Sequence, residues 1–207
     1  MSVHPYRSSS PESVEEDWTA LEKLIAQYAP PEKSIYLISS EWGYSSQTGG
    51  LSATMQADYA VRQYLINIAS SANLSIWYDW KNDGSNRTYN EDNFGTVHQN
   101  LQPKAAYKAI EKVAKLLHGF HAVLMVGYAR DISKPMVYCE LFVRNRHSAN
   151  SPLTASNTKF MIWVDATHPV VTNLCGLSQF SVTPMPRLAP IQVDRFMQRF
   201  CPHFKIQ

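Results

Sequence analysis

Cysteine, net charge and long apolar runs are all scarce in this chain of 207 residues. Its three cysteines, Cys139, Cys175 and Cys201, lie far apart without a CxxC pair, so neither a disulfide framework nor a zinc site is predicted, although one disulfide stays open. A net charge of +2 without a Lys/Arg cluster predicts no nucleic-acid or anionic-membrane partner. No run reaches the roughly 18 apolar residues of a membrane span. We therefore expect a soluble chain, and the lack of an N-terminal apolar segment leaves its compartment unassigned.

Acidic and aromatic residues occur together at two places. Residues 39–45, Ser-Ser-Glu-Trp-Gly-Tyr-Ser, follow an apolar run at 35–38 that predicts a strand. Residues 74–80, Leu-Ser-Ile-Trp-Tyr-Asp-Trp, repeat the arrangement of an apolar strand that ends in aromatic residues and an acid. Sugars bind in such places, because their C–H faces pack on aromatic rings while their hydroxyls need fixed polar partners. The pattern predicts a site that binds or cleaves carbohydrate.

Strands and helices alternate over the first part of the chain. Helical periodicity and end signals predict helices at 11–28, 52–69 and 103–118. The apolar runs at 35–38 and 74–78 lie between these helices and predict strands. This order is typical of βα units on a parallel sheet, whose active groups lie at the carboxyl ends of the strands.

Beyond residue 118 the pattern changes to short β-prone runs at 121–128, 136–143 and 159–164, separated by Pro, Ser and Asn clusters. No helical stripe there is long enough to cover a parallel sheet. The sequence therefore predicts an α/β domain at 1–118 followed by a small antiparallel all-β domain at 119–207.

The motifs of the first 118 residues resemble, in content and order, the C-terminal part of a clan A glycoside hydrolase barrel. The matching segments are Val3-His4-Pro5-Tyr6-Arg7, Pro11-Glu12, Ser40-Glu41-Trp42-Gly43-Tyr44, Ile76-Trp77-Tyr78-Asp79-Trp80-Lys81-Asn82-Asp83-Gly84, Glu91-Asp92-Asn93-Phe94-Gly95 and Pro103-Lys104-Ala105-Ala106-Tyr107. The resemblance is to (β/α)8 enzymes of the cellulase and β-xylosidase kind. It implies a partial barrel, about strands six to eight, and the tail resembles the small β-sandwich that often follows such barrels.

The resemblance assigns the catalytic nucleophile to Glu41. A retaining glycosidase pairs such a carboxylate with a second carboxyl group about 5–5.5 Å away, which serves as acid and then as base. In the family the acid/base is a Glu after an Asn at the end of strand four, which this partial barrel does not include. Asn90-Glu91 is the only Asn-Glu pair, but it follows the last barrel strand, where the family has a loop-shaping acid. We therefore do not assign Glu91 as the acid/base.

The resemblance also implies substrate contacts. Trp77 would be the platform under the sugar, with His4 and Tyr6 as polar neighbours of the nucleophile and Trp42 and Trp80 as further aromatic contacts. Each has a structural alternative, since tryptophans also pack the mouth of a barrel and lone histidines are commonly structural hydrogen-bond donors. We predict no metal and no cofactor, because the histidines are scattered singly and no nucleotide-binding motif occurs.

Two functional hypotheses follow. The first is a glycoside hydrolase by descent that cleaves an O-glycosyl bond of a β-linked glycan by the retaining route and is inactive where the acid/base is absent. The second is a noncatalytic carbohydrate-binding or interaction remnant. A partial barrel leaves a sheet edge and an apolar face open, so we expect packing on the β domain, a dimer, or a complementing chain that closes the barrel. A Met that opens the first predicted strand is also expected of a truncated reading frame.

Overall fold

Three short parallel strands form the sheet of the first compact unit. The computed structural model describes residues 1–70, 72–128, 137–144 and 158–164, and the chain divides into compact units Met1–Leu116 and Leu117–Gln207. The strands are β1 (Ser2–Val3), β2 (Ile38–Trp42) and β3 (Leu74–Trp77), in the order β1-β2-β3. Both pairings are parallel, so the carboxyl ends of the three strands lie at one edge. The peptide bond that joins Tyr78 to Asp79 is cis.

The helices occupy the predicted places. They are α1 (Glu15–Tyr28), α2 (Ala53–Ala69) and α3 (Ala105–Leu117), with short 3₁₀ turns at Pro11–Val14 and Glu91–Asn93. The Ser52 hydroxyl accepts a hydrogen bond from the Met55 amide at 3.1 Å and caps α2, as expected of a serine at this position. The prediction of mixed helices and strands with a parallel sheet is confirmed for the first unit.

The position of β2 corrects the sequence prediction. The apolar run at 35–38 was expected to be the strand, but Ile35 is 36% exposed and Tyr36 is 62% exposed. The ladder instead begins at Ile38, and Ser39, which is 0% exposed, pairs with its neighbours on both sides. Pairing with flanking strands thus overrides the β-propensity of the apolar run. As a result Glu41 lies within the last residues of the strand rather than in the loop after it.

The core of the first unit combines apolar side chains with buried polar ones. Four large apolar residues are at most 1% exposed: Trp18, Trp42, Leu65 and Ile66. On α2, Gln56 and Gln63 are also completely buried. Their amides donate to the main-chain carbonyls of Tyr44 at 2.7 Å and Trp42 at 3.0 Å. Helix α2 therefore holds the backbone on both sides of Gly43, where the carboxyl end of β2 leaves the sheet.

The second unit contains an antiparallel sheet. Strands β4 (Phe120–Tyr128), β5 (Val137–Arg144) and β6 (Thr158–Val164) pair in sequence order. They coincide with the three predicted β-prone runs, although three strands do not show the predicted β-sandwich. The proline-rich stretch after 164, with Cys175 and Cys201, lies outside the described residues. Among the helices of the described chain, none has the length and apolar character needed to cross a bilayer.

Candidate functional site

A carboxylate, a phenol and an imidazole meet at the carboxyl ends of β1 and β2. The Tyr6 hydroxyl donates a hydrogen bond to Glu41 Oε1 at 3.0 Å. His4 Nδ1 lies 3.7 Å from Glu41 Oε2, and the two side chains are 54% and 39% exposed. The structure therefore brings three of the predicted site residues together, because adjacent parallel strands present their ends at the same edge. The carboxylate is held on one oxygen and remains accessible.

Tyr6 is set up to remain a hydrogen-bond donor. Burial raises the pKa of its phenol well above the usual value, and the hydrogen bond to Glu41 raises it further. Its proton is thus retained at any physiological pH. Tyr6 can fix the orientation of the Glu41 carboxylate without competing for a proton.

Tyr6 also belongs to a cluster of three aromatic rings beside the carboxylate. The ring centroid of Tyr6 lies 6.3 Å from that of Tyr78 and 6.1 Å from that of Phe94, in edge-to-face geometry. Tyr78 and Phe94 are 5.3 Å apart and also meet edge-on. Edge-to-face pairs at such separations are favourable and leave ring faces available for other contacts. We call Tyr6, Tyr78 and Phe94 the aromatic cluster.

The three predicted tryptophans are placed differently from one another. Trp42 is 0% exposed, which corrects our expectation of a sugar contact, because its ring is enclosed in the core. Trp77 is 7% exposed and donates its indole N–H to the Phe94 carbonyl at 3.2 Å, so it supports the aromatic cluster from behind. Trp80 is 63% exposed and available to a ligand.

Sequence reasoning missed Tyr78, the first residue after β3. Its ring, rather than that of Trp77, is beside Tyr6, and its amide donates to the Trp42 carbonyl at 3.0 Å. A Cβ at Gly43 would lie only 1.8 Å from the Tyr78 carbonyl oxygen. Glycine is therefore required at 43 for this close approach. The glycine directly after Glu41-Trp42 is the sequence signal that could have indicated this close approach.

A second carboxylate reaches the aromatic cluster from the loop after β3. The Asn90 side-chain amide donates to Glu91 Oε1 at 3.1 Å, and the Tyr78 hydroxyl lies 3.5 Å from Glu91 Oε2. Burial raises the pKa of the Tyr78 phenol, and the negative charges of nearby carboxylates, Glu91 among them, raise it further. Glu41 and Glu91 thus each face a phenol of the same cluster.

Lys104 anchors the loop that carries Glu91. Its side chain is 5% exposed, and Nζ donates to Asn82 Oδ1 at 3.3 Å, to the Asn93 carbonyl at 3.0 Å and to Ser46 Oγ at 3.0 Å. Burial lowers the pKa of this ammonium to about 8, while the charge of Asp79 opposes the shift. One buried cation therefore joins both ends of the loop to the segment after β2.

This arrangement predicts a pH dependence of stability. A lysine whose pKa falls from 10.5 to about 8 on folding binds fewer protons in the folded chain than in the unfolded chain between those values. Its contribution to stability is fully present above pH 10.5 and is lost as the pH falls through 8. Between pH 7 and 9.5 the wild type should gain about 2 kcal/mol from this residue, since one pKa unit corresponds to about 1.4 kcal/mol.

Urea denaturation at both pH values measures this gain, and the Lys104→Met chain should lack it. Lys108→Met is the matched control, because Lys108 is an exposed lysine four residues further along, in α3, and this variant should retain the wild-type difference. Equal pH dependence in the wild type and Lys104→Met would contradict the assignment.

The side chains at this site allow chemistry in which a carboxylate is the reacting group. Within the described part of the chain, no group of three or more His, Cys, Asp or Glu side chains is placed to hold a metal ion. Glu41 is accessible, oriented by Tyr6 and next to aromatic rings. Such a group can act as a nucleophile or as a general base.

The fold is similar to that of a solved family 39 glycoside hydrolase from the gut symbiont Bacteroides cellulosilyticus WH2, with a TM-score of 0.61 and 21% identity. The match covers 79% of this chain and 33% of that chain, so this chain spans about a third of the length of its structural neighbour. At this identity the likeness shows the fold alone, which supports the predicted glycoside hydrolase fold. No protein-family profile and no curated protein matches the sequence.

Proposed function

We propose that this chain carries the nucleophile part of a retaining glycosidase site that acts on an O-glycosyl bond of a β-linked glycan. The observation that carries the proposal is the Glu41 carboxylate at the end of a parallel strand, held at 3.0 Å by the Tyr6 hydroxyl and open to solvent. The glycoside hydrolase fold of the structural neighbour supports it.

In the proposed reaction a Glu41 oxygen attacks the anomeric carbon. A bond forms between that oxygen and the anomeric carbon as the bond to the leaving oxygen breaks, and the leaving oxygen takes a proton from a general acid. Water then cleaves the glycosyl–enzyme ester, giving its proton to the conjugate base of that acid. Tyr6 keeps the attacking carboxylate oriented through both steps.

Carbohydrate is the proposed ligand. Aromatic rings and polar groups surround Glu41, and this combination suits a pyranose, with its apolar faces and hydroxyl edge. We assign the polar contacts to His4 and Tyr6 and the ring contacts to Tyr78 and Trp80. Trp77 then supports the aromatic cluster instead of contacting the sugar, and Trp42 takes no direct part.

The proposal does not assign the residue that acts as the general acid. The resemblance places it on a strand outside this chain, which would require a complementing chain, a dimer or a longer polypeptide to supply it. Glu91 is the described carboxylate that shares the aromatic cluster with Glu41, through its contact with Tyr78. The two possible sources of the acid predict different rates for glycosides with good and with poor leaving groups when Glu91 is replaced.

The test is intact-mass spectrometry of the chain after incubation with a panel of 2-fluoro-glycosides that carry good leaving groups. Trapping needs a working nucleophile but little acid assistance, so it tests Glu41 separately from the general acid. We expect one glycosyl adduct per chain, mapped by peptide analysis to Glu41. Tyr6→Phe should form the same adduct at a rate at least about 10-fold lower, because one charge-assisted hydrogen bond orients the carboxylate.

Two controls make the outcome decisive. Glu41→Gln should give no adduct, and circular dichroism should show that it is folded. A folded wild-type chain that binds glycan without forming any adduct would contradict the nucleophile assignment and favour the noncatalytic carbohydrate-binding alternative.

A further inference from the structure

Two tripeptides of this chain, at 73–75 and 86–88, fit the Asn-X-Ser/Thr pattern of an acceptor for an N-linked glycan. The pattern is short and also occurs by chance, so the surroundings of each asparagine have to distinguish an acceptor from a coincidence. A glycan is bulky and stays in water. The carboxamide nitrogen that bears it must therefore be exposed and without a partner in the folded chain.

The tripeptide at 86–88 forms a turn at the surface, and all three of its residues are exposed. The Asn86 carboxamide oxygen accepts a hydrogen bond from the Thr88 main-chain amide at 3.0 Å and another from the Thr88 hydroxyl at 2.8 Å. This is the contact pattern of an Asx turn. Because a main-chain amide can only donate, the atom that faces it is the oxygen, and Nδ2 is the atom directed away from Thr88.

The main chain of Asn86 is fixed, whereas its carboxamide nitrogen is free. The Asn86 amide donates to Asp92 Oδ2 at 2.9 Å, and the Asn86 carbonyl accepts from Asn93 Nδ2 at 2.9 Å and from the Tyr89 amide at 3.1 Å. Among the residues that the structure describes, none forms a hydrogen bond with Asn86 Nδ2. A group attached to this nitrogen would leave the contacts that order the turn in place.

The tripeptide at 73–75 is part of the sheet instead. The Leu37 amide donates to Asn73 Oδ1 at 3.1 Å, and the Asn73 amide donates to the Leu37 carbonyl at 2.8 Å. Ser75 Oγ, in β3, accepts a hydrogen bond from the Asn67 side-chain amide of α2 at 2.8 Å. Both ends of this tripeptide are thus engaged by neighbouring segments, so an enzyme could bind it only after the sheet opens locally.

We infer that Asn86 carries an N-linked glycan and that Asn73 does not. In the transfer, Asn86 Nδ2 attacks the anomeric carbon of the first sugar of an oligosaccharide that is joined to a lipid through pyrophosphate. A C–N bond forms as the C–O bond to the pyrophosphate breaks. The nitrogen loses one proton, and the lipid pyrophosphate leaves with the electron pair of the broken bond.

This transfer takes place in the secretory pathway, so the inference also assigns the chain to that pathway. It rests on the contacts of the two tripeptides and does not depend on the proposed glycosidase function.

Peptide mapping of the protein isolated from the cells that make it is the first test. We expect a glycan on the peptide that contains position 86 and none on the peptide that contains position 73. Release with a peptide N-glycosidase in heavy-oxygen water marks the position, because it converts the glycosylated asparagine into an aspartate that carries the heavy oxygen.

A transfer reaction on the folded full chain tests the physical reason. The chain is incubated with a purified oligosaccharyltransferase and a lipid-linked oligosaccharide. Occupancy of Asn86 should exceed that of Asn73 at least about 10-fold, because modification of Asn73 requires local opening of the sheet. Short synthetic peptides that span each tripeptide measure the intrinsic preference of the enzyme for Thr over Ser, which is then divided out.

Variants of the same loop supply the controls. Asn86→Gln and Thr88→Val should lose the glycan, whereas Thr88→Ser, which keeps the hydroxyl, should retain it. Ser85→Ala removes a neighbouring exposed hydroxyl outside the tripeptide and should be modified like the wild type. Circular dichroism shows that each variant is folded.

A folded protein from its own cells without a glycan at position 86 would overturn the inference. So would equal corrected occupancy of Asn73 and Asn86 in the folded chain, because the contacts of the two tripeptides would then not decide which one is used. Full occupancy in Thr88→Val would also overturn it, since the modification would not follow the tripeptide.

Discussion

Replacing Glu12 with alanine is expected to lower the free energy of unfolding by about 3–5 kcal/mol, the loss typical of breaking a buried ion pair. Glu12 is 3% exposed and Arg62 is 2% exposed. The guanidinium donates to both carboxylate oxygens, at 2.7 and 2.6 Å. Truncation would remove these two charge-assisted hydrogen bonds from a cation that is buried away from bulk solvent, which makes their loss costly.

Urea denaturation of the wild type and Glu12→Ala provides the measurement. Glu15→Ala is the matched control, because Glu15 is exposed a few residues on and should change stability by less than about 0.5 kcal/mol. The double variant Glu12→Met/Arg62→Met should be more stable than Glu12→Ala, since apolar pairs often replace buried ion pairs at little cost. A loss of less than about 1 kcal/mol for Glu12→Ala would show that the pair is not a main support of the fold.

Glu41→Gln should reduce hydrolysis of an activated β-glycoside by on the order of 10⁴-fold or more, as expected when a nucleophile is removed. Glutamine has nearly the same shape and can still contact Tyr6, but it cannot form the glycosyl ester. Glycan affinity should change little, which separates a chemical role from a binding role. A Glu41→Gln chain with the wild-type rate would show that Glu41 is not the nucleophile.

Glu91→Gln measured in parallel identifies the source of the general acid. If Glu91 protonates the leaving oxygen, its loss should slow glycosides with poor leaving groups by about 10²–10⁴-fold and leave activated ones nearly unchanged. If the acid comes from another strand or chain, Glu91→Gln should have the same small effect on both classes. The ratio of the two rates therefore decides between the sources without further structural work.

The meeting of Glu41, His4 and Tyr6 was implied by the resemblance of the sequence motifs to the glycosidase family, and the rule that parallel strands end at one edge explains it physically. Which of the two rings, Trp77 or Tyr78, lies at the site could not be predicted from the sequence. Neighbouring residues of a strand point to opposite faces, so a displacement of one residue exchanges the buried ring and the ring at the site. That parity depends on the register with β2, which the sequence pattern did not reveal.

The same limitation explains the misplaced β2. Ile35 and Tyr36 have high strand propensity, whereas the observed strand contains two serines, one of which is completely buried. The burial of Gln56 and Gln63 on α2 could not be predicted either. Glutamines are usually expected to face solvent, and these two are buried because their amides donate to main-chain carbonyls after β2. Such partners are set by tertiary contacts and leave no periodic signal.

The close approach at Gly43 makes one part of the site intolerant of substitution, whereas another part can vary. A residue with a Cβ at position 43 would collide with the Tyr78 carbonyl, so the backbone that joins the strand of Glu41 to the aromatic cluster does not tolerate substitution at this position. The loop from 82 to 93 is different, because neighbouring residues hold it largely by its main-chain carbonyls. The Ser46 and Thr48 amides donate to the carbonyls of residues 93 and 87, and the Ser45 hydroxyl donates to that of residue 90, so side chains of the loop can change without loss of these contacts. Under the proposed function, variation in glycan preference, among relatives or in a designed library, should therefore be sought in that loop, while the surroundings of Glu41 stay constant.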